Sequence, residues 1–238
     1  MCTVTFLPGK GNEFILTSNR DEHTLRLKAQ PPQLYRINNL DVIYPRDGEA
    51  GGSWIGASKH FTLCLLNGAF QKHTRLPPYA KSRGVMLLDF FNFNDVKKFA
   101  NEYNFKGIEP FTLLLLDAIS KLELYELRWD GSHTHLIKSD PAIPHIWSSV
   151  TLYEKEIIEL RRQWFKAWLN QHESGSMEAI MHFHEFGGTG DKTTDVLMNR
   201  NNELLTVSIT SISKSTDALL LKYKDVEADK IYTMEMAI

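Results

Sequence analysis

The chain has 238 residues, with 27 Lys and Arg against 29 Asp and Glu, a formal net charge of −2, and 42% hydrophobic residues. This length supports a hydrophobic core, and the near-neutral charge argues against a protein that coats nucleic acid or an anionic membrane. The chain's two cysteines exclude a disulfide framework, and neither belongs to a Cys-x-x-Cys pair.

The sequence contains no apolar run of the roughly 20 residues that a membrane helix needs. A basic region followed by a long apolar stretch, which would indicate a secretory signal, is also absent from the N-terminus. We therefore predict a cytoplasmic protein without integral membrane association.

The first third of the chain reads mainly as strands. Residues 2–6 and 14–18 alternate and flank a Pro-Gly-containing turn, which predicts a hairpin with a polar run, residues 19–23, after its second strand. Residues 30–45 have weak periodicity and predict a loop that wraps the surface or the rim of a pocket. Further strands are predicted at residues 53–57 and 61–66.

The rest of the chain alternates helical pairs with groups of strands. Helical periodicity covers residues 85–92 and 94–103, and later residues 152–170 and 176–186. Strands are predicted between and after these pairs, at residues 111–116, 122–127, 134–138, 196–199, 204–213 and 218–223.

Short joints between these strands indicate antiparallel pairing. We therefore predict an α+β fold over residues 1–238 as a single domain. Two antiparallel sheets stacked face to face, with a helical pair outside each, would give a four-layer αββα sandwich.

Cys2 becomes the first residue if the initiator Met1 is removed. One residue would then carry a thiol and a free α-amine, whose reference pKa of about 7.7–8.0 suits a base near neutral pH. That combination is a self-contained nucleophile and base. The alternative is that Cys2 is a small apolar residue that opens a buried strand.

The polar run Asn19-Arg20-Asp21-Glu22 ends the strand predicted to pair with the strand of Cys2. An Arg beside a thiol lowers the pKa of the thiol, and an Asp can hold an ammonium group or orient a base. The alternative is a solvated turn.

These residues resemble the NRDE family, which is named for that tetrapeptide and includes the transport and Golgi organisation proteins of eukaryotes. Four blocks within the first seventy residues carry the resemblance in the same order: Met1-Cys2-Thr3 with Ser18-Asn19-Arg20-Asp21-Glu22, then Pro45-Arg46-Asp47, Gly51-Gly52-Ser53-Trp54-Ile55-Gly56 and Leu66-Asn67-Gly68. The remaining two thirds of the chain match more loosely.

The resemblance implies a fold similar to the N-terminal-nucleophile hydrolases, and in particular to the cysteine amidases that cleave penicillin V and conjugated bile salts. It implies that Cys2 is the nucleophile, Asp21 the partner of its α-amine, and Arg20 a stabiliser of the thiolate. Asn67 would donate to the oxyanion, where a fixed amide donor is worth about 2.7–4 kcal/mol. Read without the family, Asn67-Gly68 is a turn.

Further residues are expected to contact the substrate. The resemblance places Ser149, in Trp147-Ser148-Ser149, where the amidases carry a second catalytic asparagine, and Arg200 where they carry a late arginine. Trp54 follows two glycines and can line a pocket for an apolar acyl group, or alternatively is a core residue after a hairpin turn. We assign Asn19 and Glu22 to the same substrate neighbourhood.

No cofactor or metal site is predicted. His182 and His184 are two apart on a helix, hence on different faces, and no His-Glu-x-x-His motif occurs, so both are expected at the surface or in a pocket. The pairs Arg161-Arg162 and Lys97-Lys98 are expected to be solvated. The glycines form no phosphate-binding pattern.

Together with these residues, the resemblance implies an amidohydrolase that acts on non-peptide C–N bonds, with a small-molecule acyl amide as its partner. The alternative is a non-catalytic binding or trafficking protein that uses the same pocket for a lipid-like, acyl or haem-like apolar ligand. Nucleic acid is not expected as a partner, and the sequence leaves the oligomeric state open.

Overall fold

The computed structural model describes residues 3–172 and 175–238. Within these residues the chain folds into two antiparallel sheets and four helices, so the predicted α+β sandwich is confirmed. Cys2, the predicted nucleophile, lies outside the described residues.

The first sheet contains the N-terminal hairpin and the C-terminal strands, in the spatial order β10-β1-β2-β12-β13-β14, with β11 paired to β12. Its strands are β1 (Thr3–Pro8), β2 (Phe14–His23), β10 (His145–Ser148), β11 (Asn199–Arg200), β12 (Leu204–Lys214), β13 (Ala218–Asp225) and β14 (Lys230–Ala237). The second strand of the hairpin, β2, is therefore central and is paired on both sides.

The second sheet is a meander in chain order. Its strands are β3 (Gln30–Ile37), β4 (Leu40–Arg46), β5 (Ile55–Ser58), β6 (Phe61–Asn67), β7 (Phe111–Asp117), β8 (Glu123–Trp129) and β9 (Thr134–Ser139). Every neighbouring pair in it is antiparallel.

The prediction of a loop over residues 30–45 is wrong, because this segment forms the β3–β4 hairpin. Asn38 and Asn39 join the strands with φ values of 45° and 64°, the left-handed pair that a two-residue hairpin turn requires and that Asn tolerates. The prolines that obscured the pattern lie at a register shift between Gln30 and Gln33 on this edge strand, where no ladder donor is needed.

The predicted strand over residues 196–199 is reduced to the two-residue β11. Two strands were missed: β10 is only four residues long, and β14 is an edge strand in which half-buried and exposed residues alternate. Such short or half-exposed strands carry little hydrophobic signal.

The helices cover the outer faces of the two sheets. They are α1 (Arg83–Phe93), α2 (Val96–Glu102), α3 (Lys155–Gln171) and α4 (Met177–Phe186). In the first pair, Phe90 packs against Phe61 of the second sheet with ring centroids 5.1 Å apart. In the second pair, Phe165 and Phe183 pack in one buried cluster with Leu7 of the first sheet.

The core between the sheets is formed by alternate residues of the facing strands. Val4, Phe6 and Leu16 of the first sheet belong to one buried cluster with Ile55 and Leu114 of the second. Because strand side chains alternate between faces, the intervening residues of β1 and β2 point to α3 and α4. This alternation decides where each residue of the polar run lies.

Candidate functional site

The polar run Asn19-Arg20-Asp21-Glu22 lies inside β2, not after it. The ladder with β12 continues to His23, which pairs with Leu204, so the expectation that the strand ends at Ser18 is wrong. Polar residues can occupy this central strand because its two faces meet hydrogen-bonding partners.

A cavity of about 630 Å³ opens on the side of β2 that faces the second sheet. Of the predicted site residues, Arg20, Glu22, Trp54 and Asn67 line it. The structure therefore brings together residues separated by as many as 47 positions in the sequence. Asn19, Asp21, Ser149 and Arg200 are not among its lining residues.

The guanidinium of Arg20 is held in a fixed position at the cavity wall. It donates to Asp47 Oδ2 at 2.5 Å and lies 3.4 Å from Glu22 Oε2. It also stacks over the indole of Trp54, with its Cζ 4.4 Å from the ring centroid, an arrangement favourable to a cation. The Arg20 side chain is only 5% exposed.

Asp47 organises the cationic side of this wall. Its carboxylate accepts from Arg20 and from Arg26, which donates through Nε at 3.1 Å and Nη2 at 2.9 Å. The backbone N–H of Ala50 also donates to it at 2.7 Å. Burial raises the pKa of Asp47, but these donors and charges outweigh it, so the pKa lies below its ordinary value.

Two glycines let the Gly51-Gly52-Ser53-Trp54 block approach the start of α1. A Cβ on Gly52 would meet the Gly84 carbonyl carbon at 2.3 Å, and a Cβ on Gly84 would meet the Ser53 oxygen at 2.9 Å. Ser53 N donates to Gly84 O across this contact at 3.1 Å. The close backbone approach places Trp54 and the first turn of α1 on one cavity wall.

Asn67 ends β6 at the cavity, and a glycine turns the chain away from it. Gly68 has φ +81°, and a Cβ there would meet side-chain atoms of Val150 and Thr151 at 2.7 Å. Ser149 donates to the Asn67 carbonyl oxygen at 2.9 Å and shares a 3.0 Å hydrogen bond with Thr151. The Ser149 hydroxyl thus fixes the backbone of Asn67.

On the opposite face of β2, Asp21 is buried and 3% exposed. Tyr153 Oη donates to its Oδ2 at 2.5 Å, and Thr206 Oγ1 donates to its Oδ1 at 2.5 Å. Thr206 adjoins an irregularity in the register of β12 between Thr206 and Ser208. Such bulges redirect side chains next to functional sites.

Arg161 is fully buried, so the prediction that the Arg161-Arg162 pair is solvated is wrong for its first member. Its guanidinium donates to Thr3 Oγ1 at 2.5 Å and to the carbonyl oxygens of Thr194 and Asp195. Its Cζ lies 3.8 Å from the centroid of the Tyr153 ring. The side chain therefore links α3 to the start of β1 and to the residue that binds Asp21.

His184 is also fully buried, which corrects the expectation of a surface or pocket histidine. Asn19 Nδ2 donates to the carbonyl oxygens of His184 and Val196, so Asn19 Oδ1 accepts from His184 Nδ1 at 2.6 Å. His184 Nε2 then accepts from Thr5 Oγ1 at 2.7 Å. Burial, together with the charge of Arg161, lowers the pKa of His184 to about 3.

Arg200 lies beside this buried network and ties two segments together. It donates to Thr193 O at 3.2 Å and to Leu152 O at 3.0 Å, and its Cζ is 5.3 Å from the Tyr153 ring centroid. The predicted substrate roles of Asn19, Ser149 and Arg200 stay predictions, since the contacts of all three are made with protein groups.

The second cysteine, Cys64, is buried on the inner face of β6. Burial raises the pKa of its thiol to about 12. It is therefore a protonated packing residue at neutral pH.

Sequence reasoning did not select Asp47, Arg26, Arg83, Tyr153 or Arg161 as site residues. Asp47 belongs to one of the family blocks quoted above. Its position, directly after Arg46 and before a Gly-rich turn, was the signal that could have identified it. Tyr153 and Arg161 gave no signal, because an aromatic residue and a basic pair are ordinary features of a helical segment.

Within residues 3–172 and 175–238, no cluster of three or more His, Cys, Asp and Glu side chains has the geometry of a metal site. None of the helices in the same residues is long and apolar enough to cross a membrane.

Comparison with protein families identifies the family of this chain. The family model described as Transport and Golgi organisation 2 matches residues 1–224, nearly the whole chain. No curated protein matches the chain significantly.

Proposed function

We propose that this chain, which belongs to the Transport and Golgi organisation 2 family, hydrolyses a linear amide or a related acyl bond of a small molecule through Cys2. The fold would then be a member of the N-terminal-nucleophile hydrolase group, and residues 1–238 would act as one domain.

One observation supports this proposal more than any other. Arg20 and Asn67 line one cavity, and β1, which begins at Thr3, pairs with the β2 residues just before Arg20 and Asp21. Cys2 is bonded to Thr3, and consecutive Cα atoms are about 3.8 Å apart. Thr3, the residue that follows Cys2, is therefore at the same end of the first sheet as Arg20 and Asp21, and this neighbourhood supports the proposed partnership.

The proposed reaction has two steps. The Cys2 thiolate bonds to the carbonyl carbon, the C–N bond breaks, and the leaving amine takes the proton that the Cys2 α-amine removed from the thiol. Water then hydrolyses the acyl thioester to the carboxylic acid and returns the free thiol. Removal of Met1 is required, because only then is the α-amine of Cys2 free.

Each surrounding side chain has a physical role in these steps. The charge of Arg20 favours the thiolate, and the carboxylate of Asp21 holds the ammonium form of the α-amine. The side-chain N–H of Asn67 would donate to the carbonyl oxygen as it becomes negative. Trp54 and Glu22 would contact the substrate.

The two cysteines provide a matched test. In protein purified from its native host, intact mass reports whether Met1 is removed, and a panel of acyl amides reports turnover. We expect Cys2→Ala to abolish hydrolysis and Cys64→Ala to retain it, with an acyl adduct trapped on Cys2 alone. Hydrolysis that survives Cys2→Ala contradicts the mechanism.

Asn67→Ala tests the oxyanion role separately. If the amide stabilises the developing charge, kcat falls by about 10²–10³-fold with the fold intact. Ser149→Ala is its companion, because the Ser149 hydroxyl bonds to the Asn67 carbonyl oxygen and to the Thr151 hydroxyl. Its effect on kcat should be smaller.

A binding or trafficking role is the alternative. The cavity volume supports this role as well as it supports hydrolysis. About 630 Å³ lies within the range of small-molecule sites, which a carrier needs as much as an enzyme. Retention of Met1 together with ligand binding and no turnover would establish this role in place of hydrolysis.

A further inference from the structure

The cavity wall formed by residues 72–84 is basic. The described residues that line the whole cavity include three carboxylates, on Glu22, Asp47 and Glu109, and six cationic side chains, on Arg20, Arg26, Lys72, Arg75, Lys81 and Arg83. Arg20 and Arg26 are paired with Asp47 and Glu22, as described above. The other four cations belong to the 72–84 wall, where Lys81 is paired with Asp89 at 2.6 Å and Lys72 lies 3.9 Å from Glu154. The charge available to a ligand therefore comes mainly from Arg75 and Arg83.

Glu109 is the carboxylate at the centre of this wall, and it is shared. Arg83 Nη2 lies 3.2 Å from it, Arg75 Nε 3.6 Å, and His73 Nε2 3.2 Å. One negative charge therefore faces two guanidinium groups and an imidazole. The Arg83 side chain is 17% exposed, and burial lowers its pKa in spite of the opposing effect of Glu109.

The first turn of α1 adds a positive potential at the same place. Ser82 caps the helix by accepting from Val85 N at 3.2 Å, and Ser82, Arg83 and Gly84 all line the cavity. The N-terminal end of an α-helix carries a partial positive charge that favours an anion.

Two cavity-lining residues, Trp54 and His73, each have a buried nitrogen atom that lacks a partner among the described residues. The Nε1 of Trp54, a cavity-lining residue that is 3% exposed, has no hydrogen-bond acceptor, and His73 Nδ1 has no partner. A buried N–H without an acceptor is costly and is rare in native proteins. Among the described residues, the lining of the cavity thus has hydrogen-bonding capacity that protein groups leave unused.

We propose that the ligand of this cavity is an acyl amide that carries an anionic carboxylate or phosphate group, held by the wall of residues 72–84. The inference rests on the proposed function for the amide and on the charge of the wall for the anion. It gives the wall, which the proposed hydrolysis does not use, a role in substrate selection.

Matched probes separate the anion from the rest of the ligand. N-octanoylglycine and N-octanoyl-O-phosphoethanolamine carry a carboxylate and a phosphate, and N-octanoylglycinamide and N-octanoylethanolamine are their neutral counterparts. Binding to the Cys2→Ala protein is measured by titration calorimetry, so no turnover is required.

We expect at least one anionic probe to bind about tenfold more tightly than its neutral counterpart, because charge-assisted hydrogen bonds replace neutral ones. This advantage should shrink between about 20 mM and 500 mM salt, as screening of partly exposed charges requires. The preferred anionic probe identifies carboxylate or phosphate as the group.

Variants then locate the anion. Arg83→Gln and Arg75→Gln should each reduce the advantage. The Arg75 side chain is 75% exposed, so its substitution should leave the fold intact. Arg162→Gln, on the surface of α3, should leave it unchanged. Equal binding of anionic and neutral probes, or an advantage that survives both substitutions, overturns the inference.

Failure of this proposal is distinguishable from failure of the proposed function. Absence of hydrolysis in every amide leaves the calorimetric comparison intact, and equal binding of charged and neutral amides leaves Cys2-dependent turnover intact.

Discussion

The two faces of β2 differ in what surrounds their polar side chains. On one face, Asn19 and Asp21 are fixed by hydrogen bonds to buried protein groups. On the other, Arg20 and Glu22 line a cavity of about 630 Å³. Four consecutive residues thus divide into two pairs because strand side chains alternate. The motif therefore has one pair bonded to buried protein groups and one pair that lines the cavity.

Substitutions that remove the buried network should have the largest effect on stability. Arg161→Met removes the donor to Thr3 and to the carbonyl oxygens of Thr194 and Asp195. Leaving these buried acceptors unsatisfied should lower the free energy of unfolding by about 3 kcal/mol or more. Chemical denaturation measures this loss.

The neighbouring residue is the control for this substitution. The Arg162 side chain is 59% exposed, so Arg162→Met should change the free energy of unfolding by no more than about 0.5 kcal/mol. Equal losses in the two variants would remove the distinction between the buried network and the solvated surface.

The buried His184 predicts a dependence of stability on pH. The unfolded chain protonates this histidine below about pH 6.5, whereas burial and Arg161 lower its folded pKa to about 3. The unfolded state therefore binds one more proton between these values, and the free energy of unfolding falls as the pH falls. Across two pH units the loss is about 2.7 kcal/mol.

Denaturation of the wild type and of His184→Gln between pH 6.5 and 4.5 isolates that contribution. On acidification, the free energy of unfolding of the variant should fall with a smaller slope against pH. The difference in slope should correspond to about one bound proton. The exposed His182, substituted as His182→Gln, is the control and should retain the wild-type slope. Identical slopes in the wild type and His184→Gln would show that His184 is protonated in the folded protein.

Tyr153→Phe tests the hydrogen bond that reaches Asp21 from the buried face. Loss of a hydrogen bond to a charged group should cost about 1.5 kcal/mol of unfolding free energy. If Asp21 orients the α-amine of Cys2, the same variant should also shift the pH profile of kcat/KM. A loss of stability with an unchanged profile would confine Tyr153 to a structural role.

Glu22→Gln, on the cavity face, should have the smallest effect on stability. Glu22 is 29% exposed and lies 3.4 Å from both Arg20 and Arg26, so the change should stay within about 0.5 kcal/mol. Thermal denaturation checks this, and a loss as large as that of Tyr153→Phe would show that the two faces of β2 are energetically alike.

The fold was predictable where the hydrophobic signal was strong. The buried strand β7 and the long helix α3 follow the sequence pattern closely, and the antiparallel sandwich follows from strands joined by short turns. The β3–β4 hairpin was not predictable by the same means, because Pro31, Pro32 and an Asn-Asn turn interrupt its hydrophobic pattern. Backbone hydrogen bonds between the two strands form the hairpin nevertheless.

The candidate site was predictable in part, and for a different reason. Arg20, Glu22, Trp54 and Asn67 were selected from local motifs, and the fold brings these four to one cavity. The basic wall of residues 72–84 was not selected. Its cations lie in a loop and at the first residue of α1, without a motif, and two of them, Arg75 and Arg83, share the single carboxylate of Glu109.

Family membership, the class of fold and the difference between two cysteines, one near the N-terminus and one in an apolar strand, follow from local motifs and periodicity. Which polar residues are buried and which face the cavity became known from the folded chain, because burial and pairing depend on residues distant in sequence. Arg161 and Arg162 are neighbours of identical chemistry, yet one is enclosed by Thr3, Tyr153 and the 194–195 backbone and the other remains in solvent.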